Sequence, residues 1–387
     1  MDSPDSNVLR RRFLQGTGAA AAGAFTIMAP QLVRGTEANS KVSVGLIGCG
    51  GRGSYDAGIV HDDPRASITA LCDLFEDRRE GAKRGLKLER PAEYEDFEKL
   101  LASPSIDAVI IATPPFEHPR MLAAAVEARK HIYCEKPMGV DVEGAKKVIA
   151  TGKRCDPKKN ISVGFQQRYG PVYLDAYKRV QQGQIGDLIT ARAYWIGGDP
   201  FTRKPYSDPK IEHLRNWFCY KDTSGDFIVE QDCHNFDVLH WFLGLPSRAV
   251  GYGGTKVRTS MEILDHLSLA FEFPNGIQVN FEANQMSPPG IGKVGEEFVG
   301  QKGMITTSRG KTVFAPAHSG DEPETSVTLN SRGDITVDAF EAFIGRVISG
   351  NVENVAERSA LSTLIAILGR TAIYTGKEAV WKDVIGV

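Results

Sequence analysis

The chain has 387 residues with 42% hydrophobic content, enough for two buried cores, and a single domain of this length would be unusually large. Its net charge is −2 and the charged residues are spread without long blocks, so there is no basic field to attract nucleic acid or an acidic membrane surface. The six cysteines are scattered, none in a Cys-x-x-Cys pair or at metal-ligand spacing with histidine, so neither a disulfide framework nor a bound metal is expected.

The first forty residues differ from all that follow. Arg10-Arg11-Arg12-Phe13-Leu14 leads into an Ala/Gly-rich run to Pro30, a pattern that resembles a twin-arginine export signal. Residues 1–40 are therefore expected to be a leader outside the fold, and the mature protein to lie in the periplasm or elsewhere outside the cytoplasm. Beyond residue 40 no apolar stretch approaches the roughly twenty residues of a spanning helix, so the mature chain should have no membrane span.

From 41 to 165 short apolar runs alternate with helical stretches. Strands are expected at Val42–Gly48, Ser67–Asp73, Asp107–Thr113, His131–Cys134 and Ile161–Phe165, with helices at Tyr94–Leu101, Arg120–Arg129 and Val142–Cys155. Such alternation predicts a parallel α/β sheet of the Rossmann type, with ligands at the carboxyl ends of its strands. The first strand runs into Gly48-Cys49-Gly50-Gly51-Arg52-Gly53, and the second ends at Asp73. Gly48, Gly50, Gly51 and Gly53 permit a tight turn and close backbone approach to a pyrophosphate, and the helix starting near Gly51 points free N–H groups at it. Asp73 stands about twenty residues further on, where a carboxylate accepts hydrogen bonds from a ribose diol. It would repel a 2′-phosphate, so NAD is favoured; Arg52, Arg78 or Arg79 as a phosphate partner keeps NADP open.

From 166 to 387 the pattern is that of an α+β domain on a large, mostly antiparallel open sheet. Strands at Leu188–Trp195, Arg248–Val257, His266–Phe273, Ile277–Asn284, Glu297–Val299 and Met304–Thr307 precede helices at Val337–Ile348 and Ala356–Tyr374, with a tight turn at Pro274–Gly276. An uncovered sheet face suggests a homo-oligomer, dimer or tetramer, built on that face. The aromatic-rich loop Gly197–Thr223, with Trp217, suits either stacking on a sugar ring or packing over the core.

Two strand ends carry chemistry: Pro114-Pro115-Phe116-Glu117-His118 follows one, and Glu135-Lys136-Pro137 another. A lysine beside a nicotinamide ring can hydrogen-bond a substrate oxygen and help move its proton. Glu230, His234 and Asp237 are spaced for one helix face, with the carboxylate fixing an imidazole that accepts a hydroxyl proton. Residues 41 to 387 thus resemble the Gfo/Idh/MocA oxidoreductases, on the Gly48–Gly53 loop, Ala112-Thr113-Pro114-Pro115 with His118, Glu135-Lys136-Pro137, Gly164-Phe165-Gln166-Gln167-Arg168, and the acid-x-x-x-His element from Glu230 to His234.

That resemblance implies that Lys136 and His234 are catalytic, that Lys136 lies near the nicotinamide, and that Thr113, Pro115, His118, Glu135 and Gln166 line the cofactor cleft. Arg168 is placed with Trp217 and Asp237 on the substrate side. The family's usual aspartate is Glu230 here, one methylene longer. The expected activity is hydride transfer between a tightly held NAD and a sugar or polyol. A family 109-like glycoside hydrolase, working by transient oxidation and elimination, and a nucleotide-bound sensor without catalysis stand as alternatives.

Overall fold

A computed structural model describes residues 41–317 and 326–386. The segment read as an export signal, residues 1–40, lies outside the described residues. Six parallel strands form the first sheet: β1 (Val42–Ile47), β2 (Ala66–Cys72), β3 (Ala92–Tyr94), β4 (Ala108–Ile111), β5 (His131–Cys134) and β6 (Ile161–Val163), in the order β3-β2-β1-β4-β5-β6. Their connections carry α1 (Gly51–Asp62), α2 (Glu76–Gly85), α3 (Phe97–Leu101), α4 (His118–Glu127) and α5 (Val142–Lys153). Every residue of β4 is buried, as a central strand covered on both faces requires. Strand order reverses between β1 and β4, which opens a crevice at their carboxyl ends.

Two elements differ from expectation. Tyr94–Leu101 is not one helix: β3 runs to Tyr94, and Asp96 then caps α3 by accepting from Glu98 N at 2.9 Å. Helix α2 was not foreseen, because its ten residues, Glu-Asp-Arg-Arg-Glu-Gly-Ala-Lys-Arg-Gly, bury only Ala82 and show no apolar stripe.

The rest of the chain builds a nine-stranded sheet from β7 (Leu188–Ile196), β8 (Arg248–Gly254), β9 (His266–Glu272), β10 (Gln278–Asn284), β11 (Lys293–Gly300), β12 (Gly303–Thr307), β13 (Lys311–Pro316), β14 (Val327–Asn330) and β15 (Ala379–Val380). Its order is β14-β13-β12-β11-β7-β10-β9-β8-β15, antiparallel except where β10 lies parallel to β7. The tight turn between β9 and β10 is present, with Asn275 and Gly276 both at positive φ. Along β9 and β10 burial alternates residue by residue, so one face meets the core and the other, with Tyr252, Ser268 and Glu282, faces outward.

The remaining helices are α6 (Pro171–Gln181), α7 (Pro209–Arg215), α8 (Lys221–Ser224), α9 (Phe227–Glu230), α10 (Cys233–Leu243), α11 (Ile335–Ser349), α12 (Ala356–Thr375) and α13 (Trp381–Ile385). Helix α11 returns to the first sheet, where Phe340 stacks on Tyr133 at 4.0 Å and Phe343 meets the same ring edge-on at 5.6 Å. Among the described residues no helix is long and apolar enough to cross a membrane.

Candidate active site

A cleft of about 480 Å³ opens at the carboxyl ends of β1, β4 and β5. At one end Gly48 has φ +94°, and a Cβ on it would meet Ala112 O at 2.5 Å. At Gly53 a Cβ would lie 1.9 Å from Gly48 O, so α1 packs directly on the turn that precedes it. Gly50 and Gly51 have open space instead, leaving a bare backbone cradle at the start of α1. Asp73 is fixed beside it, accepting from Cys49 N at 2.8 Å and Phe75 N at 2.9 Å, and still has acceptor capacity for a diol. A side-chain-free cradle with a carboxylate at its edge fits a dinucleotide.

The three arginines considered for a 2′-phosphate have different surroundings. Arg52 turns inward and donates twice to Glu135 Oε1, at 3.0 and 2.8 Å, with Asp56 3.2 Å away. Gln166 joins this group when its amide oxygen accepts from Arg52 at 2.6 Å and its nitrogen donates to Gly164 O. Arg79 donates to Asp73 O at 2.6 Å, while Arg78 lines the cleft. Burial, then the adjacent Glu135 carboxylate, pushes the Asp56 carboxyl well above the usual range, against the pull of Arg52.

At the other end Lys136 follows β5 and its Nζ donates to Glu230 Oε1 at 2.8 Å and Glu230 O at 2.6 Å. An ammonium has three donors, so one is left for the cleft. Burial acts to lower the pKa of Lys136, and the Glu230 carboxylate outweighs it, so the lysine stays charged. His234 lines the same cleft, stacked at 5.7 Å on Trp195 and edge-on to Phe165. Burial, then the nearby positive charges of Arg309 and Lys136, drive its pKa well below normal, so the imidazole is neutral. Its Nδ1 is buried with no partner among the described residues.

The expected acid–imidazole pair is therefore corrected: Glu230 holds Lys136, not His234. The reason is local. The helix is not continuous from Glu230 to Leu243, because Asp232 N reaches back five residues to Phe227 O at 3.2 Å, and this widened turn rotates Glu230 off the face of His234. Asp237 is also absent from the cleft lining. It forms a buried two-pronged pair with Arg168, at 2.8 and 2.9 Å, and accepts from Ser362 Oγ at 2.7 Å, so two of the three residues expected on the substrate side instead brace α10 against its neighbours. His118 too stands behind the cleft, bridging Pro137 O at 2.7 Å and Thr113 O at 2.9 Å and so joining the turns after β4 and β5.

Thr113, Pro115, Glu135, Gln166 and Trp217 line the cleft. So do Trp195, Gln231, Phe201, Arg215 and Arg309, which sequence reasoning did not single out. Trp195 had a faint signal, an aromatic closing a long strand ahead of a loop; Arg309, on a hairpin turn, had none.

The segment from 197 to 223 is not a plain loop. It contains α7, a short turn at Trp217–Cys219 and α8, each too brief to show a helical period. Ion pairs set its shape: Arg258 with Asp199 at 2.8 Å and Arg203 with Glu212 at 2.9 Å, while Tyr220 also bonds Glu212. From it Arg215 reaches across to Asp77 of α2 at 2.6 Å and lies 3.9 Å over the Phe75 ring. The segment is a strap across the mouth of the cleft.

Comparison with known proteins agrees with this arrangement. Residues 42–165 match an oxidoreductase family with an NAD-binding Rossmann fold, and residues 173–306 match the GFO/IDH/MocA C-terminal domain. Scyllo-inositol 2-dehydrogenase (NAD(+)) of Bacillus subtilis is 32% identical over 274 residues, covering 68% of this chain and 73% of that protein. Myo-inositol 2-dehydrogenase of Thermotoga maritima is 24% identical over 353 residues, covering 89% and 99%. The fold is shared with levoglucosan dehydrogenase in complex with NADH and levoglucosan, at 20% identity, TM-score 0.74, and coverage of 88% and 99%. A glycine cradle with its acid, a lysine and histidine facing one cleft, and a large second sheet all occur in one molecule, and this chain belongs to the NAD-dependent Gfo/Idh/MocA oxidoreductases.

Proposed function

We propose that this oxidoreductase oxidises a hydroxyl of a sugar, polyol or sugar derivative and keeps its cofactor bound between turnovers. NAD, when bound, supplies a hydride acceptor. Lys136 directs its one spare N–H to the substrate oxygen, and its charge, held by Glu230, stabilises that oxygen as it loses a proton. His234 takes the proton, since its imidazole lines the cleft and is neutral. Trp195 and Phe165 fix the ring and exclude water from it. The observation that carries this reading is the pair of groups lining one cleft: a charged lysine with a donor to spare and an uncharged imidazole.

Polyhydroxy rings as substrates fit the names of the relatives, inositols and levoglucosan. Tight cofactor retention is supported by the strap and its Arg215–Asp77 link. Export through the twin-arginine signal at Arg10 and Arg11 would place the enzyme away from the cytoplasmic nucleotide pool, where a retained cofactor is needed. Association of copies through the outward face of the second sheet completes the reading.

The test begins by denaturing the purified protein and assaying the supernatant for NAD. The protein is then incubated with a panel of sugars, polyols and aryl glycosides. Lasting NADH absorbance that depends on Lys136 supports the reading. Release of aglycone with no lasting NADH overturns it in favour of hydrolysis, and a supernatant without nucleotide overturns tight retention.

A further inference from the structure

The cations around the reaction end are almost all neutralised within the protein. Lys136 is paired with Glu230, Arg52 with Glu135, and Arg215 with Asp77. Arg309 is different: it lines the cleft, and among the described residues it has no ion pair and no hydrogen-bond partner. No carboxylate bonds it directly, although Glu296 and Asp334 lie near enough to feel its charge. It sits on the turn between β12 and β13, tied by Ser308 N to Lys311 O at 2.9 Å and by Ser331 N to Gly310 O at 2.8 Å. Its guanidinium lies 5.5 Å from the centre of the Trp195 ring, which is itself stacked on His234.

From this geometry we infer that the substrate carries an anionic group and that Arg309 recognises it. The inference rests on the dehydrogenase reading above, whose substrate class it narrows. A planar fork of five donors matches a carboxylate or a phosphate better than any neutral hydroxyl does. Held against an aromatic face, it gives up little freedom on binding. The stack also links recognition to chemistry. Arg309 is among the groups that depress the basicity of His234, so an anion bound at Arg309 offsets that charge and makes His234 a better proton acceptor when the right substrate is present.

Calorimetric titration of the NAD-loaded protein with D-glucuronate, D-galacturonate and D-gluconate, against D-glucose and D-galactose, tests this. D-glucose 6-phosphate distinguishes a phosphate from a carboxylate. The wild-type protein is expected to prefer an acid over its neutral counterpart by about ten- to a hundredfold at low salt, the scale of one charge-assisted bond, and to lose part of that preference as salt is added. In Arg309→Met the ratio should fall to about one, with Arg309→Lys between; Arg154→Met, which makes the same change in net charge on the C-cap of α5, should leave the ratio as it was. Equal binding of acids and neutral sugars by the wild type, or a preference that survives Arg309→Met, overturns the inference. NADH formed from neutral sugars alone would leave the dehydrogenase reading intact and sink only this narrowing. Selective binding of the acids without any NADH would do the reverse.

Discussion

The two ends of the cleft are built on different principles. The glycine-loop end is made of backbone: Gly48 and Gly53 are excluded from carrying a side chain by atoms within 2.5 Å, and Asp73 is locked by two main-chain N–H groups. The reaction end is made of side chains from elements far apart in the chain, with Lys136 after β5, Trp195 on β7, His234 on α10 and Arg309 beyond β12. Shape is fixed at the first by what cannot be there. At the second, function depends on charges that must meet partners far along the chain, as Lys136 meets Glu230 across 94 residues.

Substitutions at and behind the two ends test this contrast. Lys136→Ala should lower turnover by about a hundred- to ten-thousandfold, the range for a positioned proton-transfer group, while the NAD recovered from denatured protein is unchanged; joint loss would mean the two ends are not separable. Asp237→Ala, which strands the buried Arg168 guanidinium, should cost about 3–5 kcal/mol in urea unfolding. If Asp237 met substrate instead, KM would rise with little change in stability. Gly53→Ala should cost about 1–3 kcal/mol through the clash with Gly48 O and abolish NAD binding, whereas Gly81→Ala, in open space on α2, should stabilise by about 0.5–1 kcal/mol.

The smallest effect concerns pH. Glu296, behind the reaction end and bonded to Asn235 and Thr307, has its carboxyl raised by burial to about 7 from an ordinary 4.5, although those hydrogen bonds pull it down. The folded state therefore binds a proton that the unfolded chain has released between those values. Stability should fall as pH rises from about 5 to 7, by at most about 1.4 kcal/mol per pH unit from this group, and Glu296→Gln should remove that slope. An unchanged slope in the variant would assign it to another group.

The glycine-loop end was legible in the sequence because it is local: strand, glycines, helix and acid follow one another within 32 residues, from Val42 to Asp73. Hydrophobic runs likewise marked all but one of the parallel strands, and only β3, three residues long and largely exposed, was missed. Lys136 and His234 were legible as motif members. What they bond to was not. A single widened turn at Asp232 decides whether Glu230 serves the imidazole or the lysine, and spacing alone assumes a regular helix there. Arg168, Asp237 and His118 carry the same polar chemistry whether they face a ligand or a buried partner, and only tertiary packing separates the two. The loop Gly197–Thr223 stood out in the sequence, but its form as a strap did not, for a related reason: it is held by ion pairs between residues whose sequence order carries no period.

The one parallel pairing in the second sheet, β10 beside β7, has a consequence for how the molecule forms. A parallel neighbour cannot be supplied by a hairpin, so β7 waits for a partner 88 residues further along, at Gln278 beside Thr190, and for β11 beyond it. Closing so long a loop is slow, and the central strand of the sheet must be among the last to acquire its neighbours. Trp195 lies on that strand, so in a refolding experiment its fluorescence should change late, after the parallel sheet has already gathered.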